Sequence, residues 1–392
     1  MKEWEINNKF SLCVKRAESS TDKINIKLIV ETGSENETKE GTTHLLEHLL
    51  LSFDLIENDS GKFYEYVRGC THFEYSTFEI EFENNIANIR RGLLRFKEIL
   101  DGKYINQEMF DKAKLCVLHE IEHISEEDEK FLSIVKFYAG FGHLPTGTST
   151  SIKNITFKDI QDYFNNIFLK AYKRMIVIGK IDECGIKQLI EEMYSVKINS
   201  PYLPKCDVYF KLDRCAVIRQ LENIIEIFFP VDPMSFDTIK KRACQDLCLS
   251  IIEDILPRLS KELYDNEEKV ICHILHLGKQ VTLLQIQICL NDYNGRYCSN
   301  TDFKTLYGTM LDYVDEELFQ DIKNDYLKGL YQDLELSLEV ETYELENYYV
   351  FRVVPLNVKE YVNAVQALSI YDILEKMEIS IGQYIREIRR IL

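Results

Sequence analysis

The chain has 392 residues, 45% of them hydrophobic and 29% charged, with a formal net charge of −18. That length suits about two domains of ordinary size, and the composition excludes fibrous and intrinsically disordered classes. A chain this acidic does not hold nucleic acid or an anionic membrane through its overall field, and no apolar run reaches the roughly 18 residues needed to span a bilayer.

In chain order, the opening MKEWEINNKF lacks a basic start followed by an apolar stretch, so it does not read as a signal peptide. From about Lys9 to Glu31 the sequence alternates in patches and predicts strands. Gly33 to Gly41 is a polar loop, and Thr42 or Thr43 is the expected N-cap of an apolar helix, HLLEHLLLSF. Phe73 to Phe82 predicts a strand, with Tyr75, Thr77, Glu79 and Glu81 on one side and Ser76, Phe78, Ile80 and Phe82 on the other. Helices are expected over Asn84–Leu100, Gln107 to about Tyr138, Asp159–Phe168 and Ile186–Tyr194, with a buried strand at Met175–Gly179.

Lys197 to Cys206 holds two of the seven prolines and is the expected linker, which divides the chain into residues 1–200 and 201–392. Beyond it the order recurs: a strand (IIEIFFPV), a long helix (Asp237–Leu263), two strands (Lys269–Leu275 and Val281–Leu290), then helices. The expected class is α+β: two similar units with mixed or antiparallel sheets and helices on one face, rather than a βαβ parallel sheet. The eleven cysteines are scattered without a CxxC pair. They point to a reducing compartment and a cytoplasmic protein, with Cys244 and Cys248 filling a helix face.

The residues that carry chemistry are His44-Leu45-Leu46-Glu47-His48. On a helix, positions i and i+4 share a face, so His44 and His48 can grip one ion. Glu47, at i+3 from His44, can reach a water at such an ion without being a ligand and can take its proton. The order H-x-x-E-H is the inverzincin signature. Polar residues of this kind inside so apolar a helix need partners. A catalytic zinc takes three protein ligands, so a third must come from elsewhere. The segment KLCVLHEIEH offers His119, Glu120, Glu122 and His123, and helical spacing does not choose among them.

With these residues in view, the sequence resembles the insulinase/pitrilysin peptidases, especially short bacterial members that form one half of a clamshell. VETGSENETKEGTTHLLEHLL resembles the family's turn, loop and zinc helix, and DKAKLCVLHEI resembles its third-ligand helix. GHLPTGTSTSIKNITFKDIQDYF and RMIVIGKID resemble later segments. The resemblance implies Zn2+ held by His44, His48 and Glu120, with Glu47 as general base. It further implies a peptide substrate, bound as an added strand, and for short paired members a leader peptide of a ribosomally made product.

Three departures matter. A second acid often stands seven residues before the third ligand, where this chain has Ala113. The family's Asn-Ala-x-Thr stretch falls on Gly69, Cys70, Thr71 and His72, which are the candidate substrate-binding residues. The arginine and tyrosine that the opposite half supplies to the oxyanion would fall on Tyr264 and Ile271; Arg258 reads as a surface or packing residue. The expectation is therefore a zinc endopeptidase subunit that needs a second insulinase-like chain to supply the Arg/Tyr clamp. The alternative is a catalytically silent zinc scaffold.

Overall fold

The computed structural model describes residues 1–19, 21–51, 67–123, 134, 138, 140–194, 215–220, 224–264, 269–278, 281–289, 300–332, 337–385 and 389–390. It divides into two units, Met1–Asp207 with Glu335–Glu346, and Val208–Leu334 with Asn347–Leu392. The expected linker at Lys197–Cys206 lies outside the described residues.

The first unit is built on strands β1 (Lys2–Asn7), β2 (Phe10–Arg16), β3 (Lys23–Val30), β4 (Arg68–Thr71), β5 (Ser76–Glu83) and β6 (Lys173–Gly179). They form one six-stranded sheet in the order β1-β2-β6-β3-β5-β4. The β2–β6 pair is parallel and the other pairs are antiparallel, so the sheet is mixed. The period-2 pattern explains its core. Ile24, Ile26, Leu28 and Val30 of β3 and Phe78, Ile80 and Phe82 of β5 join one apolar cluster with Leu45, Leu46, Leu49 and Leu50. The opposite face carries Asn25, Lys27, Thr77 and Glu79.

Three helices matter for the site: α1 (Thr42–Leu51), α2 (Ile86–Asp101) and α3 (Gln107–Ile121). The α2 helix is punctuated as its sequence demands. Asn85 caps its start by accepting from the Asn88 amide, and Gly102, at φ 63°, closes its end in the left-handed region. Helix α1 is capped differently from the Thr42 or Thr43 expectation. The Glu37 carboxylate accepts from the amides of Gly41 at 2.6 Å and Thr43 at 2.7 Å. A carboxylate reaches two helix-end donors at once, which one hydroxyl does not. The Thr42 hydroxyl donates instead to the Lys39 carbonyl, and the Thr43 hydroxyl to Tyr163 Oη.

Helix α3 closes at Ile121, and residues 124–133 of the helix expected to about Tyr138 lie outside the described residues. The His123 amide donates to Glu120 only three residues back, a tightened turn that closes the helix at Ile121. The second unit carries a five-stranded sheet, β11-β7-β8-β10-β9, from β7 (Val217–Gln220), β8 (Ile224–Val231), β9 (Lys269–Gly278), β10 (Val281–Cys289) and β11 (Arg389–Arg390). Its longest helix, Ile239–Tyr264, packs on β9 and buries Leu247, Ile251 and Ile255 at four-residue spacing, a single apolar stripe. The fold is α+β, with a sheet and helices in each unit.

Candidate metal centre

Eight of the ten residues of α1 are buried, among them His44 and Glu47. The helix therefore holds its polar side chains against protein rather than water. His44 Nε2 and His48 Nε2 lie 3.1 Å apart, as expected for residues one turn apart on the same face. Helix α3 packs on α1 and brings one acid to this pair: Glu120 Oε2 lies 3.1 Å from His48 Nε2 and 3.6 Å from His44 Nε2. Each of the three residues offers a ligand atom within 4.8 Å of the others, the one group of this kind among the described residues. Of the competitors, His119 lies on α3 and His123 just beyond its end, with their ring centroids 4.4 Å apart in a tilted pair, and neither joins the group; like Glu120 they are exposed. Glu122 is exposed as well.

The donor set suits a metal ion. Two imidazole nitrogens and one carboxylate oxygen are a three-ligand set that leaves a fourth position open. His44 is prepared for it: Nδ1 lies 3.1 Å from the Thr146 carbonyl, which fixes the ring and leaves Nε2 facing Glu120. The electrostatics are strongly coupled. Hydrogen bonds from His44 and His48 hold the Glu120 carboxyl well below the usual carboxylate range. Burial opposes charge on His44, but Glu120, Glu47 and the Thr146 carbonyl outweigh it and raise its pKa.

Glu47 is not one of the three, but it is close enough to interact electrostatically with His44, His48 and Glu120. Burial raises its pKa, partly offset by His44 and by a hydrogen bond from Thr71. Thr71 Oγ1 donates to Glu47 Oε2 across 2.7 Å. Both Gly69 and Thr71 lie on β4, the edge strand beyond β5 among the described residues.

The other two residues of that stretch have different surroundings. Cys70 is exposed on the edge strand, although its thiol is pushed up to about 11 by burial of the sulfur and by Glu47. The His72 ring stacks on Tyr75 at 4.1 Å, and burial lowers its pKa to about 4. Tyr75 Oη in turn donates to Glu346 Oε1 at 3.1 Å, and Glu346 pairs with Lys27. Lys27 also pairs with Glu79 at 3.1 Å. This ion network behind the sheet was missed in the sequence, although a lysine inside the apolar strand INIKLIV is its signal.

Ala113 packs into the apolar core and adds no polar support to Glu120. In the second unit, Tyr264 is the last residue of its helix and Ile271 sits on β9 opposite Gln287. Arg258 forms a one-turn pair with Asp254, Nη2 to Oδ2 at 2.7 Å.

The first unit is thus a mixed sheet backed by helices, two of which carry a His-His-Glu group. Residues 13–135, about a third of the chain, match the profile of the family described as Insulinase (Peptidase family M16), and that stretch is similar to the family. A comparison with curated proteins finds no match. Among solved structures, the first half of the periplasmic protease PqqL from Escherichia coli is similar with a TM-score of 0.77 at 16% identity, over 99% of this chain and 91% of that one. Against the whole PqqL protease the chain spans 47% of its length. A protease from Helicobacter pylori is similar at 0.67 and 17% identity, over 95% and 94% of the two chains. A peptidase M16 inactive domain from Pseudomonas fluorescens is similar at 0.70 and 13%, over 97% and 94%. Among the described residues no helix is long and apolar enough to cross a membrane.

Proposed function

We propose that the chain is the zinc-bearing subunit of a two-chain metallopeptidase. His44, His48 and Glu120 would hold the ion. When bound, zinc supplies a Lewis acid that polarises a carbonyl and acidifies water. The remaining chemistry belongs to the chain's own residues. Glu47 takes a proton from the attacking water and returns it to the leaving amine. The edge of β4 that is unpaired among the described residues receives the peptide as an added strand. Thr146 and Glu120 keep the two imidazoles in place.

The observation that carries this reading is Glu47, a buried acid beside the ligand group but outside it. A purely structural site closes with four ligands and has no use for a base. The chain also spans about half of the whole E. coli protease, which supports a second, insulinase-like partner chain. Neither Tyr264 nor Ile271 supplies a cation to the oxyanion, so the partner brings the arginine and tyrosine. The nine described cysteines form no disulfide with one another, which supports a reducing compartment, although PqqL is described as periplasmic. The proposed substrate is a peptide segment, with leader peptides of ribosomally made products as the first class to try.

The test is a cleavage assay with a family chain encoded nearby that carries the arginine and tyrosine, and a small precursor encoded beside it. Cleavage by the pair, lost with Glu47→Gln, is the expected result. A fully zinc-loaded pair that cleaves no peptide would establish the scaffold reading instead.

A further inference from the structure

We infer that Gly69 and Thr71 form a seat for the Glu47 side chain, with Thr71 a positioning residue that holds one carboxylate oxygen and leaves the other for the reaction. The inference rests on the reading of Glu47 as general base and adds what aims it.

Two observations carry it. The first is the hydrogen bond, Thr71 Oγ1 to Glu47 Oε2 at 2.7 Å, the length of a charge-assisted contact. The second is space. Gly69 and Thr71 are two residues apart on β4, so they share a face of the strand. A Cβ built on Gly69 would fall 2.5 Å from Glu47 Oε1 and 2.7 Å from its Cδ and Cγ. No side chain other than hydrogen fits at 69 while Glu47 keeps this rotamer. The strand is not free to retreat, because Gly69 is paired with Phe78 and Thr71 with Ser76 across β5. A glutamate has three rotatable bonds, and a buried carboxylate without a partner is costly. The glycine admits the side chain against the strand backbone, and the hydroxyl then fixes it. This accounts for glycine at a position where the family carries asparagine.

The test uses Thr71→Val, which keeps the branched shape and removes the hydroxyl, and Thr71→Ser, which keeps the hydroxyl. Both are assayed in the two-chain complex, with zinc content and melting temperature measured on the same samples. Thr71→Val is expected to load one zinc per chain, melt like wild type, keep its KM and lose about 10- to 100-fold in kcat. Thr71→Ser should restore most of that loss. Crystal structures of metal-free Thr71→Val and Gly69→Ala should show the Glu47 carboxylate swung away from its present position.

Wild-type kcat in Thr71→Val, or loss of zinc in step with activity, would overturn the seat. So would crystal structures with Glu47 unmoved, a readout that needs no active enzyme. Full turnover by Glu47→Gln would instead overturn the general-base reading, so the two failures are distinguishable.

Discussion

His44 directs its Nδ1 at the carbonyl oxygen of Thr146, 3.1 Å away. A carbonyl only accepts, so Nδ1 carries a proton, and Nε2 is the ring atom left to face His48 and Glu120. The loop that carries Thr146 is pressed close to the start of α1. Gly147, at φ 70°, has room for no Cβ, which would lie 2.7 Å from the Cα of Gly41.

Gly147→Ala is therefore predicted to weaken zinc binding without touching a ligand. The added methyl forces the loop off α1 and draws the Thr146 carbonyl from His44. Loss of such a support costs about tenfold or more in metal affinity. Competition against a chelating dye measures it, and an unchanged affinity would show that the loop shifts without disturbing His44.

One zinc per chain is predicted, and His44→Ala or His48→Ala should abolish it. Glu120→Ala should weaken binding strongly, while Glu122→Ala and His123→Ala should leave it unchanged, because only Glu120 approaches the two imidazoles. Metal analysis after dialysis decides this. Full zinc in both histidine variants would remove the site from α1.

Glu47→Gln should retain zinc and lose turnover by about a hundredfold or more, since a carboxamide accepts no proton from water. Metal content and kcat are read on the same preparation. Near-normal cleavage would falsify the role of Glu47.

A pH dependence is predicted in the second unit. His276 lies against Phe236 and Phe351, with ring centroids 5.2 and 5.3 Å away, and Nδ1 is 3.0 Å from Thr282 Oγ1. Burial, reinforced by the Arg242 charge, lowers its pKa to about 4. The unfolded value is about 6.5, so protonation favours unfolding. The contribution to stability is complete above that value and is lost as the pH falls through about 4. A fall from about 6.5 to about 4 limits the effect to at most about 3 kcal/mol. Urea midpoints should fall more steeply with acid in wild type than in His276→Phe; parallel slopes would count against the assignment.

The helix bearing His44, Glu47 and His48 was legible because ligand spacing and apolar flanks sit within ten residues. The strand alternation at Phe73–Phe82 was legible for the same reason, since period 2 is a local property. Spacing alone did not single out Glu120, because which face of α3 meets α1 depends on tertiary packing and four candidates share one helix end; only the resemblance pointed to it. The capping of α1 by Glu37 escaped because the partner lies outside the usual capping positions. Gly69 read as a lost asparagine. Only the approach of Glu47 reveals why the position is empty.

The segment Glu335–Glu346 belongs to the first unit although it follows most of the second in sequence. Within it, Glu341 accepts from the amides of Glu18 and Ser19 and pairs with Lys15 at 2.8 Å, and Glu346 pairs with Lys27. A fragment of residues 1–207 would leave Lys27 with Glu79 as its remaining acid and Lys15 with the exposed Glu18. Removing one partner of a buried ion pair costs about 3–5 kcal/mol. Such a fragment should melt well below the intact chain, and a synthetic peptide of residues 335–346 added in trans should raise its melting temperature; no response would show that the unit stands without it. On the ribosome the same dependence sets an order of events: the unit that carries His44, His48 and Glu120 reaches its final stability only after most strands of its neighbour have been synthesised, so a chain cut short before residue 346 carries an unfinished first unit.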